Sequence, residues 1–164
     1  MRELERNPAA ETSPDPPATA SVGVLGRGRV GQALGAALRA AGFEVEGPAG
    51  RGEVPAADAI VLCVPDAEIP AAAAAVAGAA RFVGHTSGAT PLSALAPAGG
   101  EAFGLHPLQT VPDGGADLRG AGCAVAGSTP AALAVARDLA GRLGMTAFEV
   151  RDASVCAAHS SVTR

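Results

Sequence analysis

The sequence has no lysine, no tryptophan and no tyrosine, and aromatic residues make up only 2% of the chain. Without lysine, the chain cannot itself supply the amine of a Schiff base or a lysine general acid. With so few aromatic rings, the interior has to be built from alanine, valine and leucine with closely approaching backbone. The length of 164 residues predicts one domain with a single core.

Clustered positive charge and long apolar segments are also missing. The formal net charge is -4, and the 12 basic residues are all arginines scattered along the chain. This distribution is not that of a nucleic-acid-binding surface. The alanine-rich run at residues 69–80 is too short and too weakly apolar to cross a bilayer. We therefore expect a cytoplasmic protein whose partner is neither a nucleic acid nor a membrane.

The three cysteines, Cys63, Cys123 and Cys156, are widely separated and form no Cys-x-x-Cys pair. This spacing predicts neither a disulfide framework nor a zinc site, so we expect buried thiols in a reducing compartment and no bound metal. The first 20 residues are polar and proline-rich and lack the apolar stretch of a signal peptide. They are predicted to form a disordered tail, residues 1–20.

Short apolar runs alternate with segments of helical periodicity after this tail. The apolar runs predict strands at residues 21–25, 43–46, 59–64, 81–84, 102–105, 123–126 and 146–150. The segments between them predict helices at residues 30–41, 69–79, 91–95 and 130–143. The expected helix caps are Asp66 and Glu68, Thr90, and either Ser128 or Thr129. The pattern is typical of an α/β fold with a doubly wound, mainly parallel sheet over residues 21–151.

A glycine-rich turn follows the first predicted strand and opens the first predicted helix. Its spacing is Gly-x-Gly-x-x-Gly, and its residues are Gly26, Arg27, Gly28, Arg29, Val30 and Gly31. In such a turn the first glycine permits the tight bend, the second lets backbone approach a diphosphate, and the third allows close packing of helix on strand. The helix N-terminus adds unpaired N–H groups. This context predicts a Rossmann domain that binds a nicotinamide dinucleotide, with a purely structural turn as the alternative.

Two features bear on the choice between NAD and NADP. An NAD site usually has an acidic residue at the end of the second strand, and Glu46 is the candidate, unless its side chain simply faces solvent. Arg51, together with Arg27 in the turn, is suited to pair with a 2′-phosphate. NADP is therefore the predicted cofactor and NAD the less favoured one. The alternative for Arg51 is a solvated loop charge.

Three further segments follow predicted strands, at the edge where a sheet of this kind binds its ligand. They read Val-Pro-Asp-Ala-Glu-Ile at residues 64–69, His-Thr-Ser-Gly-Ala at residues 85–89 and Leu-His-Pro-Leu-Gln-Thr at residues 105–110. Together with the glycine turn, they resemble the family of Rossmann-like proteins with a DUF2520 domain. That family belongs to a wider group that includes 6-phosphogluconate dehydrogenase, pyrroline-5-carboxylate reductase and prephenate dehydrogenase. The resemblance covers roughly residues 22–150.

The resemblance implies an NAD(P)-binding domain followed by an all-helical domain that dimerises and completes the active-site cleft. The helical part is expected to be missing from this sequence, with residues 152–164, which include His159, as its truncated or aberrant start. A homodimer is expected only where the helical domain is present.

Two histidines are expected to face the nicotinamide end of the cleft, because His85 and His106 each follow a predicted strand. Imidazole titrates near neutral pH, so it can donate a proton as hydride arrives or remove one as hydride leaves. The predicted catalytic residues are His106, His85 and Ser87, and Thr86, Val64 and Pro65 are predicted to line the cofactor site. The alternative for each histidine is that it only satisfies backbone groups in its own turn.

The sequence thus predicts an NADP-dependent oxidoreductase module that transfers hydride to or from a small carbonyl, imine or hydroxy-acid substrate. A non-catalytic sensor of NAD(P), or a remnant cofactor-binding domain, is the alternative. A phosphate-binding protein without redox chemistry is a third possibility.

Overall fold

Seven strands form one sheet in the computed structural model, which describes residues 17–151. In chain order they are β1 (Ser21–Leu25), β2 (Glu44–Ala49), β3 (Ala59–Leu62), β4 (Phe82–His85), β5 (Glu101–Pro107), β6 (Gly122–Gly127) and β7 (Thr146–Glu149). Their order across the sheet is β2-β1-β3-β4-β5-β6-β7. Strands β1 to β5 are parallel, whereas β6 runs antiparallel to β5 and β7 runs parallel to β6.

The first two connections run in opposite directions across the sheet, because the chain passes from β1 to β2 on one side and then crosses back over β1 to β3. Strand β2 pairs with one side of β1, and β3 pairs with its other side. The order of the strands therefore reverses at β1 and β3. In open α/β sheets, the crevice outside the carboxyl ends of strands at such a reversal is where ligands bind. The glycine-rich turn follows β1 at that point.

Helices cover both faces of the sheet. They are α1 (Arg29–Ala40), α2 (Ile69–Ala75) and α3 (Pro130–Arg142), and two 3₁₀ helices span Asp66–Glu68 and Leu92–Ala98. Side chains of α1 and α3, such as Leu38 and Leu139, share one buried cluster with Val24 of the sheet. Ile69 of α2 shares a second cluster with Val83. Two layers on opposite faces confirm the predicted doubly wound, mainly parallel α/β fold.

The core reaches close packing through small residues, as the composition requires. Phe103 on β5 is fully buried. Its ring lies so close to the backbone of Gly84 on β4 that a Cβ atom at residue 84 would overlap it. An alanine at residue 84 would therefore force the ring or the neighbouring backbone to shift.

Several element boundaries differ from the sequence-based predictions. Strand β2 continues to Ala49, three residues beyond the predicted end at Glu46. Helix α2 ends at Ala75 instead of residue 79. The segment predicted as a short helix at residues 91–95 is the 3₁₀ helix Leu92–Ala98, which contains Pro97. In an α-helix, the ring of Pro97 would clash with the carbonyl four residues earlier.

The expected helix caps are correct at one position and wrong at others. Thr129 caps α3 by accepting the N–H of Ala132 at 3.0 Å. Thr90 does not cap the 3₁₀ helix, whose N-cap residue is Pro91. Asp66 and Glu68 lie in the first turn of the 3₁₀ helix before α2, and Glu68 is the N-cap residue of α2, but its side chain makes no cap hydrogen bond and pairs with Arg51 instead.

The domain begins earlier than residue 21. Thr19 is buried, and the N–H of Ala20 donates to the Asp58 carboxylate at 3.0 Å. Residues 17–20, predicted as tail, are thus bonded to the domain. The rest of the predicted tail, the segment 152–164 and with it Cys156 and His159 lie outside the described residues. None of the helices within residues 17–151 has the length and hydropathy needed to cross a membrane.

Candidate functional site

The glycine-rich turn is packed between the ends of three strands. Gly26 has a φ of +124°, which L side chains rarely adopt, and its N–H donates to the Ala49 carbonyl at the end of β2 at 2.9 Å. A Cβ atom on Gly26 would overlap the Cys63 carbonyl after β3, and one on Gly31 would overlap the Gly26 carbonyl. The backbone of the turn therefore needs glycine at both positions.

Gly28 is different, because a Cβ atom there would have no atom of residues 17–151 within 4 Å apart from its own chain neighbours. The first hydrogen bond of α1 runs from Gln32 N–H to the Gly28 carbonyl at 3.0 Å, so the amides before Gln32 have no acceptor within the helix. The first turn of α1 contains no acidic side chain, and Gly28 provides no side-chain cap. The turn combines open space with N–H donors that have no acceptor within the helix, which suits an anionic ligand.

The other predicted members of the cofactor site surround this turn. Arg29 is exposed at the first position of α1, while Val30 is half-buried and packs against the core. Val64 is half-buried and Pro65 is exposed directly after β3. The N–H of Cys63 donates to the Leu25 carbonyl at 2.7 Å, which ties the end of β3 to the end of β1. The structure thus brings these four residues to one edge of the sheet.

Glu46 does not lie at the end of β2, where an acidic residue would bond the ribose of NAD. It is exposed, and it pairs in register with Gly23 in the middle of β1, because β2 is longer than predicted. The acidic side chain near the end of β2 is Glu53, which sequence reasoning missed. Glu53 lies in the loop after the strand, three residues after Gly50, and this loop has no periodicity that would single it out.

Both arginines predicted to bind a 2′-phosphate already have acidic partners. The Arg27 guanidinium forms an ion pair with Glu53 at 2.8 Å. Arg51 forms an ion pair with Glu68 at 2.9 Å, and its side chain is 91% exposed. A ligand phosphate would therefore have to share or replace these carboxylates.

His106 lies at the carboxyl end of β5 and is half-buried. Its Nδ1 atom lies 2.8 Å from the Thr86 carbonyl, which can only accept a hydrogen bond, so Nδ1 carries a proton in this arrangement. The Nε2 atom is then the one left to exchange a proton with a ligand. A Cβ atom on Gly88 would lie 2.6 Å from Nε2, so glycine at residue 88 leaves room for the ring.

Ser87 lies in the loop after β4, and its hydroxyl is occupied by hydrogen bonds within that loop. It donates to the Thr90 hydroxyl at 2.9 Å and accepts the N–H groups of Ala89 and Thr90 at 3.2 and 3.1 Å. Its proton is therefore already engaged. Ser87 would have to exchange one of these partners before it could bind a substrate oxygen.

His85 does not face an open cleft, contrary to the sequence-based expectation. Its ring is fully buried at the end of β4. Its Nδ1 atom accepts the N–H of Ser87 at 3.2 Å, and its Nε2 atom has no hydrogen-bond partner in the described part of the chain. Burial lowers the pKa of His85, and nearby backbone of Pro91 and the Asp66 carboxylate offset only part of this effect. The neutral ring supports the loop that contains Thr86 and Ser87.

The space beside His106 is small. A cavity of about 10 Å³ is lined by Ser87, Gly88, Gly104, His106, Ala124, Ala126 and Val150. A much larger concavity of about 580 Å³ includes Arg81 and Glu101, at the amino ends of β4 and β5. It lies at the opposite edge of the sheet from the glycine turn and His106, so its size does not make it the site. Within residues 17–151, no three His, Cys, Asp or Glu side chains are grouped to hold a metal ion.

No family model and no curated protein matches the sequence. Solved structures do match. A Bacteroides fragilis protein described as a candidate NADP oxidoreductase has a TM-score of 0.73 at 16% identity, over 87% of this chain and 65% of its own. Prephenate dehydrogenase from A. aeolicus has a TM-score of 0.72 at 15% identity, over 90% of this chain and 65% of its own. An imine reductase from Streptomyces aurantiacus has a TM-score of 0.64 at 21% identity, over 87% of this chain and 59% of its own.

The chain has a Rossmann-like fold. At these identities the likeness establishes the fold alone, and the chain spans 59% to 65% of the length of these three proteins. The resemblance to the DUF2520 family, which rests on the glycine turn and the two histidine segments, stays a prediction.

Proposed function

We propose that this chain is the NAD(P)-binding domain of an oxidoreductase that transfers hydride to or from a small carbonyl, imine or hydroxy-acid substrate. The observation that carries the proposal is the turn at residues 26–31. It lies at the reversal of strand order, it has no room for side chains at Gly26 or Gly31, and it leaves open space at Gly28. A diphosphate that lies against Gly28 would meet the unpaired amides at the start of α1.

The proposed cofactor is NADP, with NAD less favoured. Arg27 and Arg51 are cations near the end of β2, where this fold holds the adenosine ribose. Val64 and Pro65 after β3 and Thr86 after β4 would flank the nicotinamide half. When bound, the cofactor supplies or accepts a hydride.

His106 is the proposed proton donor and acceptor. Its Nδ1–H is held by the Thr86 carbonyl, which leaves Nε2 to give a proton to a carbonyl or imine, or to take one from an alcohol or amine. His85 and Ser87 support this arrangement by fixing the loop that carries Thr86. The names of the similar structures, an NADP oxidoreductase, a dehydrogenase and an imine reductase, support hydride transfer as the reaction class.

A second candidate function is a dinucleotide sensor without catalysis. The cavity beside His106 holds about 10 Å³, roughly the space of one water molecule, so the described residues do not enclose a substrate. Hydride transfer requires a site that excludes water, and the remaining walls would have to come from another segment or subunit. The chain on its own would then bind the cofactor without turning it over.

Titration of the full chain with NADPH and NADH, followed by the fluorescence of the reduced cofactor, tests the shared claim. Saturable binding of either cofactor supports it, and the absence of binding to both would overturn it. Assays with 2-oxo acids, cyclic imines and hydroxy acids then separate the two candidates. Turnover that is lost in His106→Asn supports the enzyme, whereas saturable binding that stays without turnover when a segment or subunit supplying the remaining walls is added favours the sensor.

A further inference from the structure

We infer that Glu53 sets the selectivity between NADP and NAD, by competing with the 2′-phosphate for the guanidinium of Arg27. The inference rests on the proposed function, because it concerns the adenosine end of the same cofactor site. It assigns a role to a side chain outside the glycine turn and outside the second strand.

Arg27 reaches from the turn to the end of β2. Its Nε atom lies 3.5 Å from the Pro48 carbonyl, and a Cβ atom on Gly50 would lie 3.0 Å from its Cζ atom. The guanidinium therefore lies over the backbone that follows Ala49. In a Rossmann-like fold this is the place of the adenosine ribose and of any phosphate on its 2′ oxygen.

Glu53 is held in place by two independent contacts. Its two carboxylate oxygens lie 3.0 and 2.8 Å from Nη2 of Arg27, and the N–H of Gly50 donates to Oε2 at 2.7 Å. Its own N–H donates to the Gly50 carbonyl at 3.2 Å, which closes a turn of the loop. The Gly50 N–H and then Arg27 hold the pKa of Glu53 below its usual range, so the carboxylate stays charged at neutral pH.

The pair has opposite consequences for the two cofactors. A ribose 2′-hydroxyl can donate to the Glu53 carboxylate, as it does to acidic residues at the end of the second strand in NAD sites. A 2′-phosphate carries about two negative charges, so it is repelled by Glu53 and attracted by Arg27. The pair is exposed, with side-chain exposures of 61% and 56%, and exposed ion pairs are weak enough to exchange partners.

The test is Glu53→Gln, whose amide oxygen can still accept the Gly50 N–H while the negative charge is removed. Binding of NADPH, NADH, adenosine 2′,5′-bisphosphate and 5′-AMP is measured by fluorescence or calorimetry at one fixed ionic strength. We expect NADPH and the bisphosphate to bind about tenfold more tightly than to the unaltered chain. NADH and 5′-AMP should bind equally or less tightly.

Two further variants control this measurement. Glu149→Gln on β7 removes the same charge from the ion pair with Arg137 on α3 and should change no affinity. In Arg27→Gln, the substitution Glu53→Gln should favour the 2′-phosphate much less, because it removes only the repulsion by the carboxylate and releases no guanidinium. Far-UV circular dichroism verifies that each variant is folded.

An equal change for NADPH and NADH in Glu53→Gln, or no change for either, would overturn the inference and leave the proposed function intact. The inference is also overturned if Glu53→Gln raises the affinity for NADPH as much in the Arg27→Gln variant as in the unaltered chain. If the unaltered chain binds neither dinucleotide, the proposed function fails and the inference fails with it.

Discussion

The Nδ1 atom of His106 on β5 lies 2.8 Å from the carbonyl oxygen of Thr86, which follows β4. This hydrogen bond joins the carboxyl ends of two neighbouring strands and fixes the tautomer of the ring. It separates the two nitrogen atoms into one that positions the side chain and one that is available for chemistry. The two atoms can be tested separately by substitution.

His106→Asn retains an amide N–H near the position of Nδ1 but removes Nε2. If the proposed function is correct, cofactor affinity should change less than about threefold, whereas turnover should fall by about 10² to 10⁴, the usual contribution of a general acid or base. Steady-state kinetics and cofactor titration on the same preparation measure both. Unchanged turnover would remove His106 from the reaction.

Gly28→Glu should abolish cofactor binding without harming the fold. The new side chain enters open space at the N-terminus of α1, where a negative charge is favourable for the helix but repels a diphosphate. We expect affinity to fall by at least about 100-fold, the equivalent of ~2.7 kcal/mol. Cofactor titration measures the affinity.

Gly31→Ala is the matched control for Gly28→Glu. Its methyl group would overlap the Gly26 carbonyl, so it should destabilise the fold by about 1 to 3 kcal/mol. Urea unfolding of both variants measures this difference. If Gly28→Glu proves to be the less stable of the two, the open space at Gly28 is not real.

His85 should make stability depend on pH in the mildly acidic range. Burial lowers its pKa in the folded state, below the value of about 6.5 that it has when unfolded. Its contribution is therefore complete above pH 6.5 and is lost as the pH falls below that value, because the unfolded chain binds the proton first. The free energy of unfolding should fall more steeply between pH 7 and pH 5 in the unaltered chain than in His85→Leu. Urea unfolding at several pH values measures both slopes, and parallel curves would contradict the assignment.

The cysteines Cys63 and Cys123 should be unreactive in the native protein. Burial raises the pKa of each thiol to about 12, so almost no thiolate is present at pH 8. Iodoacetamide should label neither residue at that pH until the protein is unfolded, when both should react. Peptide mass spectrometry locates the label for each cysteine. Rapid native labelling of Cys63 would show that the end of β3 opens.

Most of the fold follows from local patterns. Apolar runs such as residues 59–62 predict buried strands, and the glycine turn marks the passage from β1 into α1 at the right place. The ends of elements were harder to predict. Strand β2 continues through Gly47 and Pro48 because it pairs with β1 as far as Leu25, and that pairing is not visible in local propensity.

The candidate site was only partly predictable for the same reason. Glu53 lies in a loop without periodicity, and its position depends on contacts with Gly50 and Arg27 that only the folded chain provides. Ser87 has a hydroxyl that could bind a substrate oxygen, and it follows a strand at the edge where ligands bind. Its hydroxyl is engaged with Ala89 and Thr90, which the sequence does not show.

The sequence by itself determined the alternation of strands and helices, the sharp turn after β1, and the placement of two histidines near strand ends, because these depend on near neighbours in the chain. Only the tertiary structure decided that His85 is buried while His106 remains half-exposed. Backbone of Pro91 and the Asp66 carboxylate lie near His85 at the end of β4, whereas His106 lies on β5 beside β6 and next to a small cavity. Burial is set by which distant segments pack over a residue, and that information lies in contacts between elements instead of in the local sequence.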